Sequence, residues 1–411
     1  MNIAIVLWEL GVKGGTQRQA LELALQLQRI GHLVDVYCYK YDRAQGYTNI
    51  FDKLNIYYCV NSRKRKTKAV QNTSGRLASK FRPLLGAAIL GKEIFVTGKP
   101  VRQLERLIEK THSLAYYDTI NLHDYEVYKV SRILKHKNIV WMMNDLPNPK
   151  IKAGSAAMSP LNLLKKIVIA SRFTYIKNIK TIVVLDERNR LLCKKTYNRN
   201  AIVVRSGIHP NMFTHIPREK HVTNRVYTIF ASSIFFPYRR FEDLVDAVEL
   251  LVKNGCGNIS VTINGINERS YDYYLFIKER IIEKNLTSYI NITNGLSETE
   301  LVKQYTHTDI FVFPNNNQTW GLSVFEAMLA GCVCIVSKGA GAHEVLTHAE
   351  NALLVPPESP QAIADAMLFL IKNPKEMTRI AQNGIQFVKA NLSWEKYTKD
   401  MLTVFLDNPQ K

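Results

Sequence analysis

Apolar and polar positions along this chain come in blocks, with short continuous apolar runs followed by stretches of helical spacing. Residues 3–7 form a near-continuous apolar run, the pattern of a parallel strand covered on both faces. Gly14-Gly15-Thr16 follows, and residues 17–30 then set Ala20, Leu23, Ala24, Leu27 and Ile30 on one helical face. Gly31-His32 ends that helix and residues 33–39 predict the next strand, which completes a βαβ unit. After a less regular stretch, strands are predicted at 119–122, 138–143, 181–185 and 201–204. A second series begins near Val226, with strands at 226–231, 259–263, 290–293, 310–313, 333–336 and 352–355 and helical patterns in most of the gaps. Two successive βα series predict two doubly wound α/β domains of the Rossmann-like kind.

The first domain is expected over 1–205 and the second over 224–390. A linker is expected at 206–223, where Gly207, Pro210 and Pro217 interrupt periodicity. Open α/β sheets bind ligands at the carboxyl ends of their strands, so the active site is expected in a cleft that the two domains face.

Composition supports this architecture. The chain has 411 residues, 46% of them hydrophobic, enough for two cores and incompatible with disordered or fibrous classes. No apolar run approaches the ~18 residues needed to span a bilayer. The N-terminus lacks a basic leader and reads as a buried strand, so the protein is expected in the cytoplasm. The six cysteines are scattered without C-x-x-C pairing, which argues against a disulfide framework or structural zinc; Cys332 and Cys334 read as core residues.

The formal charge of +20 favours an anionic partner. Half of that excess sits in residues 62–110, where thirteen Lys and Arg face three Glu and apolar residues are interleaved. Such an insert suits an anionic membrane surface, each basic side chain contributing ~1 kcal/mol near the surface. It equally suits a solvated loop with a core-facing helix, and both readings stay open. Nucleic acid is disfavoured because no aromatic-rich recognition motif accompanies the charge.

The densest candidate chemistry lies in residues 308–346. A strand ends near Pro314, a polar loop follows, and Gly321 opens a helix whose free N–H groups could hold an anion, the helix dipole adding ~0.3–1 kcal/mol. Glu326 lies inside that small, apolar helix, where a carboxylate is costly unless engaged; accepting from the vicinal diol of a ribose is one use, and a capped or partly exposed Glu is another. Arg239 and Arg240 offer guanidinium forks for phosphate, or form a solvated basic turn. His123 follows an apolar strand at its carboxyl end, with Asp124 placed either to orient it or to cap the next helix. Gly14-Gly15 is neither a G-x-G-x-x-G nor a Walker A element and could be an ordinary tight turn.

Taken together, Gln318, Trp320-Gly321-Leu322, Glu326-Ala327-Met328, Gly339-Ala340-Gly341, Glu344 and the run from Leu353 to Pro357 resemble the C-terminal signature of retaining GT-B glycosyltransferases of family 4, glycosyl transferases group 1. Gly14-Gly15, Gly31-His32, the segment from Asn121 to Asp124, that from Val204 to Ile208 and that from Arg239 to Leu244 agree with the family in order. The resemblance departs at Gln318, where the family has Glu, and at Ser232-Ser233-Ile234, where it has Gly-Arg.

The resemblance implies a GT-B enzyme that moves a hexose from a nucleoside diphosphate sugar to a hydroxyl acceptor, lipid-linked or a surface glycan precursor, with retained stereochemistry. In that reading Glu326 holds the ribose and Arg239 and Arg240 the diphosphate. Gln318 and the Gly321 and Leu322 amides take the sugar, and Glu344 supports the glycine-rich loop. His123 lies near the transferred sugar and Gly14-Gly15 near the donor phosphates or the acceptor. With no Asp-x-Asp motif, no obligate metal or cofactor is expected. A helix at 391–411 is expected to cross back to the first domain, and the protein could sit peripherally on the inner face of a membrane. A nucleotide-sugar-binding protein without turnover, or a GT-B phosphorylase or epimerase, remains the alternative.

Overall fold

The computed structural model describes residues 1–61, 99–124, 127–144, 176–209, 225–267, 270–317 and 319–406. The chain divides into two compact units, one formed by Met1–Val184, Asn189–Val204 and the stretch from Thr398, the other by Leu185–Arg188 and Arg205–Tyr397. Most of the insert at 62–110 and of the linker at 206–223 lies outside the described residues.

The first unit holds a seven-stranded sheet, in the order β3-β2-β1-β4-β5-β6-β7. Its strands are β1 (Asn2–Glu9), β2 (Leu33–Tyr41), β3 (Asn55–Asn61), β4 (Thr119–His123), β5 (Ile139–Met142), β6 (Thr181–Val184) and β7 (Ala201–Val203). Every pairing is parallel, with Ile5 opposite both Val36 and Asn121. Strand order reverses between β1 and β4, the switch point at which open sheets leave a crevice.

The residues explain the elements. Ile3 to Leu7 are fully buried, as their unbroken apolar run requires. Helix α1 (Gly15–Arg29) is buried along most of its length, and Gly31 turns the chain at φ +90°. Ile30, expected on its core face, is exposed because it is the cap rather than part of the last turn. Helix α2 (Lys99–Thr111) occupies the end of the basic insert and buries Val101, Leu104 and Ile108. That portion of the insert is a core-facing helix.

The second unit holds six parallel strands in the order β10-β9-β8-β11-β12-β13. These are β8 (Tyr227–Ser232), β9 (Ile259–Asn264), β10 (Ile290–Thr293), β11 (Ile310–Phe313), β12 (Val333–Ser337) and β13 (Leu353–Val355). Here the reversal falls between β8 and β11. The flanking helices are α4 (Phe241–Lys253), α5 (Tyr271–Glu283), α6 (Glu298–Thr306), α7 (Leu322–Leu329), α8 (Pro360–Lys372) and α9 (Pro374–Asn391); α3 (Glu187–Tyr197) precedes β7 and α10 (Trp394–Leu406) closes the described chain. A capping box fixes the start of α6, Ser297 accepting from the Glu300 N–H while Glu300 accepts from the Ser297 N–H. Cys332 and Cys334 are buried core residues, their thiols donating to the carbonyls of Tyr305 and Val324. In the first unit the Asn138 amide donates to the Phe405 carbonyl of α10 at 3.0 Å.

Candidate functional site

In the second unit three loops meet at the switch point. The loop after β8 carries Phe236, Tyr238 and Arg239; the loop after β11 carries residues 314–321. The Asn316 N–H donates to the Tyr238 carbonyl at 2.8 Å. The Asn315 amide, oriented by its partners, donates to the Arg239 carbonyl at 3.1 Å and accepts from its Nη1 at 3.0 Å. The guanidinium also lies 4.7 Å from the centre of the Tyr238 ring. Gly339, after β12, comes so close that an added Cβ would lie 2.8 Å from Asn316 Oδ1 and 3.0 Å from the Asn315 carbonyl oxygen. Asn315 and Asn316 are site residues that the sequence reading passed over; two asparagines just past the end of a buried strand were the available signal.

Gly321 caps α7 with φ +95°, and a Cβ there would meet the Phe313 ring at 2.8 Å. Backbone conformation and space both require glycine. Leu322 is the first helical residue, so its N–H is among those left without an intrahelical acceptor. One turn further on, Glu326 is 9% exposed and accepts from the Tyr305 hydroxyl at 3.4 Å. Burial, and then the nearby Glu326 carboxylate, hold that hydroxyl well above its ordinary pKa, so it stays a donor. Gln318 lies outside the described residues.

Arg240, expected at the diphosphate, is engaged by the helix it precedes. It sits at φ +56°, and its guanidinium turns back onto the first turn of α4, pairing with Asp243 at 2.7 and 2.9 Å and with Glu242 at 2.9 Å. The Asp243 hydrogen bond, reinforced by the charges of Glu242 and Asp243, raises its pKa further. Two carboxylates therefore engage the Arg240 guanidinium.

Glu344 lies in a short 3₁₀ turn, Gly341–Val345. Its carboxylate takes the Arg205 guanidinium at 2.6 Å and the Glu187 N–H at 3.0 and 3.1 Å, reaching beyond the glycine-rich loop it was expected to support.

In the first unit Gly14 caps α1 and Gly15 begins it; the Gly14 carbonyl accepts from the Tyr47 hydroxyl at 3.2 Å. His123 ends β4 and is fully buried. Its Nδ1 lies 3.1 Å from Asn121 Oδ1 and its Nε2 3.0 Å from Gln19 Oε1. Burial pushes its pKa down to about 3, so the imidazole is neutral and needs one donor and one acceptor. Asn121 donates its amide to the Val140 carbonyl, which leaves its oxygen for a protonated Nδ1. Nε2 faces the Gln19 side-chain amide, whose nitrogen has no hydrogen-bond partner among the described residues. Asp124 caps rather than orients: its carboxylate accepts the N–H of Trp8 and of Val127, each at 2.8 Å.

Residues 213–387 match the family model described as glycosyl transferases group 1. The chain is 23% identical to an uncharacterized glycosyltransferase of Methanocaldococcus jannaschii, over 98% of both proteins. Among solved structures it resembles sucrose-phosphate synthase of Thermosynechococcus elongatus, with a TM-score of 0.71, 16% identity and 98% of each chain covered. It also resembles Anabaena HepE in complex with UDP and glucose, with a TM-score of 0.69, 14% identity and coverage of 97% and 98%. The protein is a glycosyltransferase of the GT-B fold, and the stretch that matches the group 1 model falls within its second unit.

Proposed function

We propose that the protein transfers a hexose from a nucleoside diphosphate sugar to a hydroxyl acceptor with retention at the anomeric carbon. The observation that carries this reading is the convergence of Arg239, Asn315 and the glycine-capped start of α7 at one switch point. A guanidinium and the first N–H groups of a helix are the kind of donors that suit a diphosphate. Glu326 accepts the ribose hydroxyls, and the Gly321 and Leu322 amides, with Gln318, take the sugar.

In the reaction the acceptor oxygen bonds to the anomeric carbon on the face from which the diphosphate leaves. The carbon–oxygen bond to the diphosphate breaks, and the acceptor proton passes to the leaving phosphate. Arg239 and the α7 N–H groups stabilise the developing charge without needing to move, which is electrostatic preorganisation. Because that charge is met by protein groups, we read the reaction as independent of a divalent cation.

No helix among the described residues is long and apolar enough to cross a membrane. We assign the acceptor as lipid-linked or a glycan precursor, met at the cytoplasmic surface, on the strength of the positive charge of residues 62–98. Flotation with anionic but not neutral liposomes is the expected result, and equal recovery from both removes the membrane from this reading. The function itself is tested by a thermal-shift panel of UDP-, GDP- and ADP-sugars, in which one base is expected to raise the melting temperature. Product analysis then separates transfer from phosphorolysis and epimerisation, and a protein indifferent to all three classes contradicts the proposal.

A further inference from the structure

Arg205 opens the second unit, away from the switch-point loops in sequence, yet its guanidinium meets three separate segments. Nη1 donates to the Leu185 carbonyl at 2.6 Å and Nη2 to Glu344 Oε2 at 2.6 Å, while the guanidinium carbon lies 5.4 Å from the centre of the Trp320 ring. Glu344 is itself anchored on the Glu187 N–H. Trp320 is 2% exposed and packs tilted against Phe325 of α7, ring centres 4.8 Å apart. Its neighbour Thr319 is held from another side, its carbonyl accepting the Gly341 N–H at 2.6 Å, and a Cβ on Gly341 would lie only 2.1 Å from that oxygen. The turn that feeds α7 is thus clamped between a backbone contact and a guanidinium face.

We propose that Arg205 and Glu344 are positioning residues for the sugar half of the donor: they fix the Trp320-Gly321-Leu322 turn, and the N–H groups it presents, without touching the donor. A planar guanidinium is suited to this because its edge pairs with a carboxylate while its face covers an indole, which sets distance and tilt together; a lysine keeps the charge and loses the fork. Arg239 and Glu326, assigned to diphosphate and ribose, are held by other contacts, so loosening the turn weakens sugar recognition more than nucleotide recognition. The inference rests on reading the second unit as the nucleotide-sugar site.

Calorimetry on the full chain with UDP and UDP-glucose, and with the GDP and ADP pairs, gives the ratio of the nucleotide-sugar Kd to the nucleotide Kd. Arg205→Ala and Glu344→Gln are each expected to raise that ratio fivefold or more, and the double variant no further than the single ones. Arg205→Lys is expected to fall between wild type and Arg205→Ala. An unchanged ratio in both single variants, with only a lower melting temperature, makes the pair a fold support and overturns the inference while the functional reading stands. If Arg205→Ala does not fold, Glu344→Gln and Arg205→Lys decide by the same ratio. A wild type that binds none of the three pairs overturns the functional reading and this inference with it.

Discussion

The two sheets reverse their strand order in the same way, but the switch points are furnished differently. In the first unit the end of β4 carries a neutral, buried His123 held by Asn121 and Gln19, and Asp124, which accepts from two backbone N–H groups. In the second unit the loops after β8, β11 and β12 bring a guanidinium, two asparagines and a helix start together around glycines that admit no side chain. Doubly wound topology supplies a crevice twice, and local residues decide which groups line each one.

The sharpest way to break that comparison is Glu326→Ala, expected to weaken nucleotide binding ~100-fold or more, since two hydrogen bonds to a carboxylate contribute about 1.5–3 kcal/mol each. Unchanged affinity by calorimetry would remove Glu326 from the site. Next comes the arginine pair. Arg239→Ala is expected to raise the nucleotide Kd by ~10–100-fold, whereas Arg240→Ala leaves it unchanged and lowers the melting temperature by a few degrees; the reverse pattern would show that Arg240 leaves its carboxylates for the ligand.

His123 sharpens the other side. Its pKa in the fold is about 3 against an ordinary 6.5. Below about pH 6.5 the unfolded chain binds a proton that the native state refuses until about pH 3. The stabilisation is therefore complete above pH 6.5 and is lost by about 1.4 kcal/mol per pH unit on acidification through that window. Urea melts at pH 7.0, 5.5 and 4.5 should show a shallower pH dependence in His123→Gln; equal slopes would mean that the imidazole protonates in the fold. The smallest effect is expected from EDTA, which should leave transfer at full rate, and abolished activity restored by a divalent cation would refute metal independence.

Much of this was legible in the chain. The strands buried on both faces announce themselves as apolar runs, and 290–293 and 310–313 match the observed strands residue for residue. β3 was missed for a physical reason: it is an edge strand whose Tyr58 and Val60 are exposed, so its sequence lacks the contrast that two-sided burial imposes. At the site, Gly321 and Glu326 could be picked out because a glycine before an apolar helix and a carboxylate within it are locally anomalous. The partners of Arg240 were not readable in the same way, because its pairing with Glu242 and Asp243 goes with a left-handed backbone at Arg240. The bonds of His123 to Gln19, 104 positions away, exist only once the fold does.

The way the chain is dealt between its two units has a practical corollary for engineering. Leu185–Arg188 belongs to the second unit although both its flanks belong to the first, and the residues from Thr398 return to the first after the second is finished. Dividing the gene at one codon would therefore strand a piece of each lobe in the wrong product, and would take Phe405 away from Asn138. Chimaeras that exchange the second unit between related enzymes would have to transplant two separated stretches and preserve the last helix of the recipient.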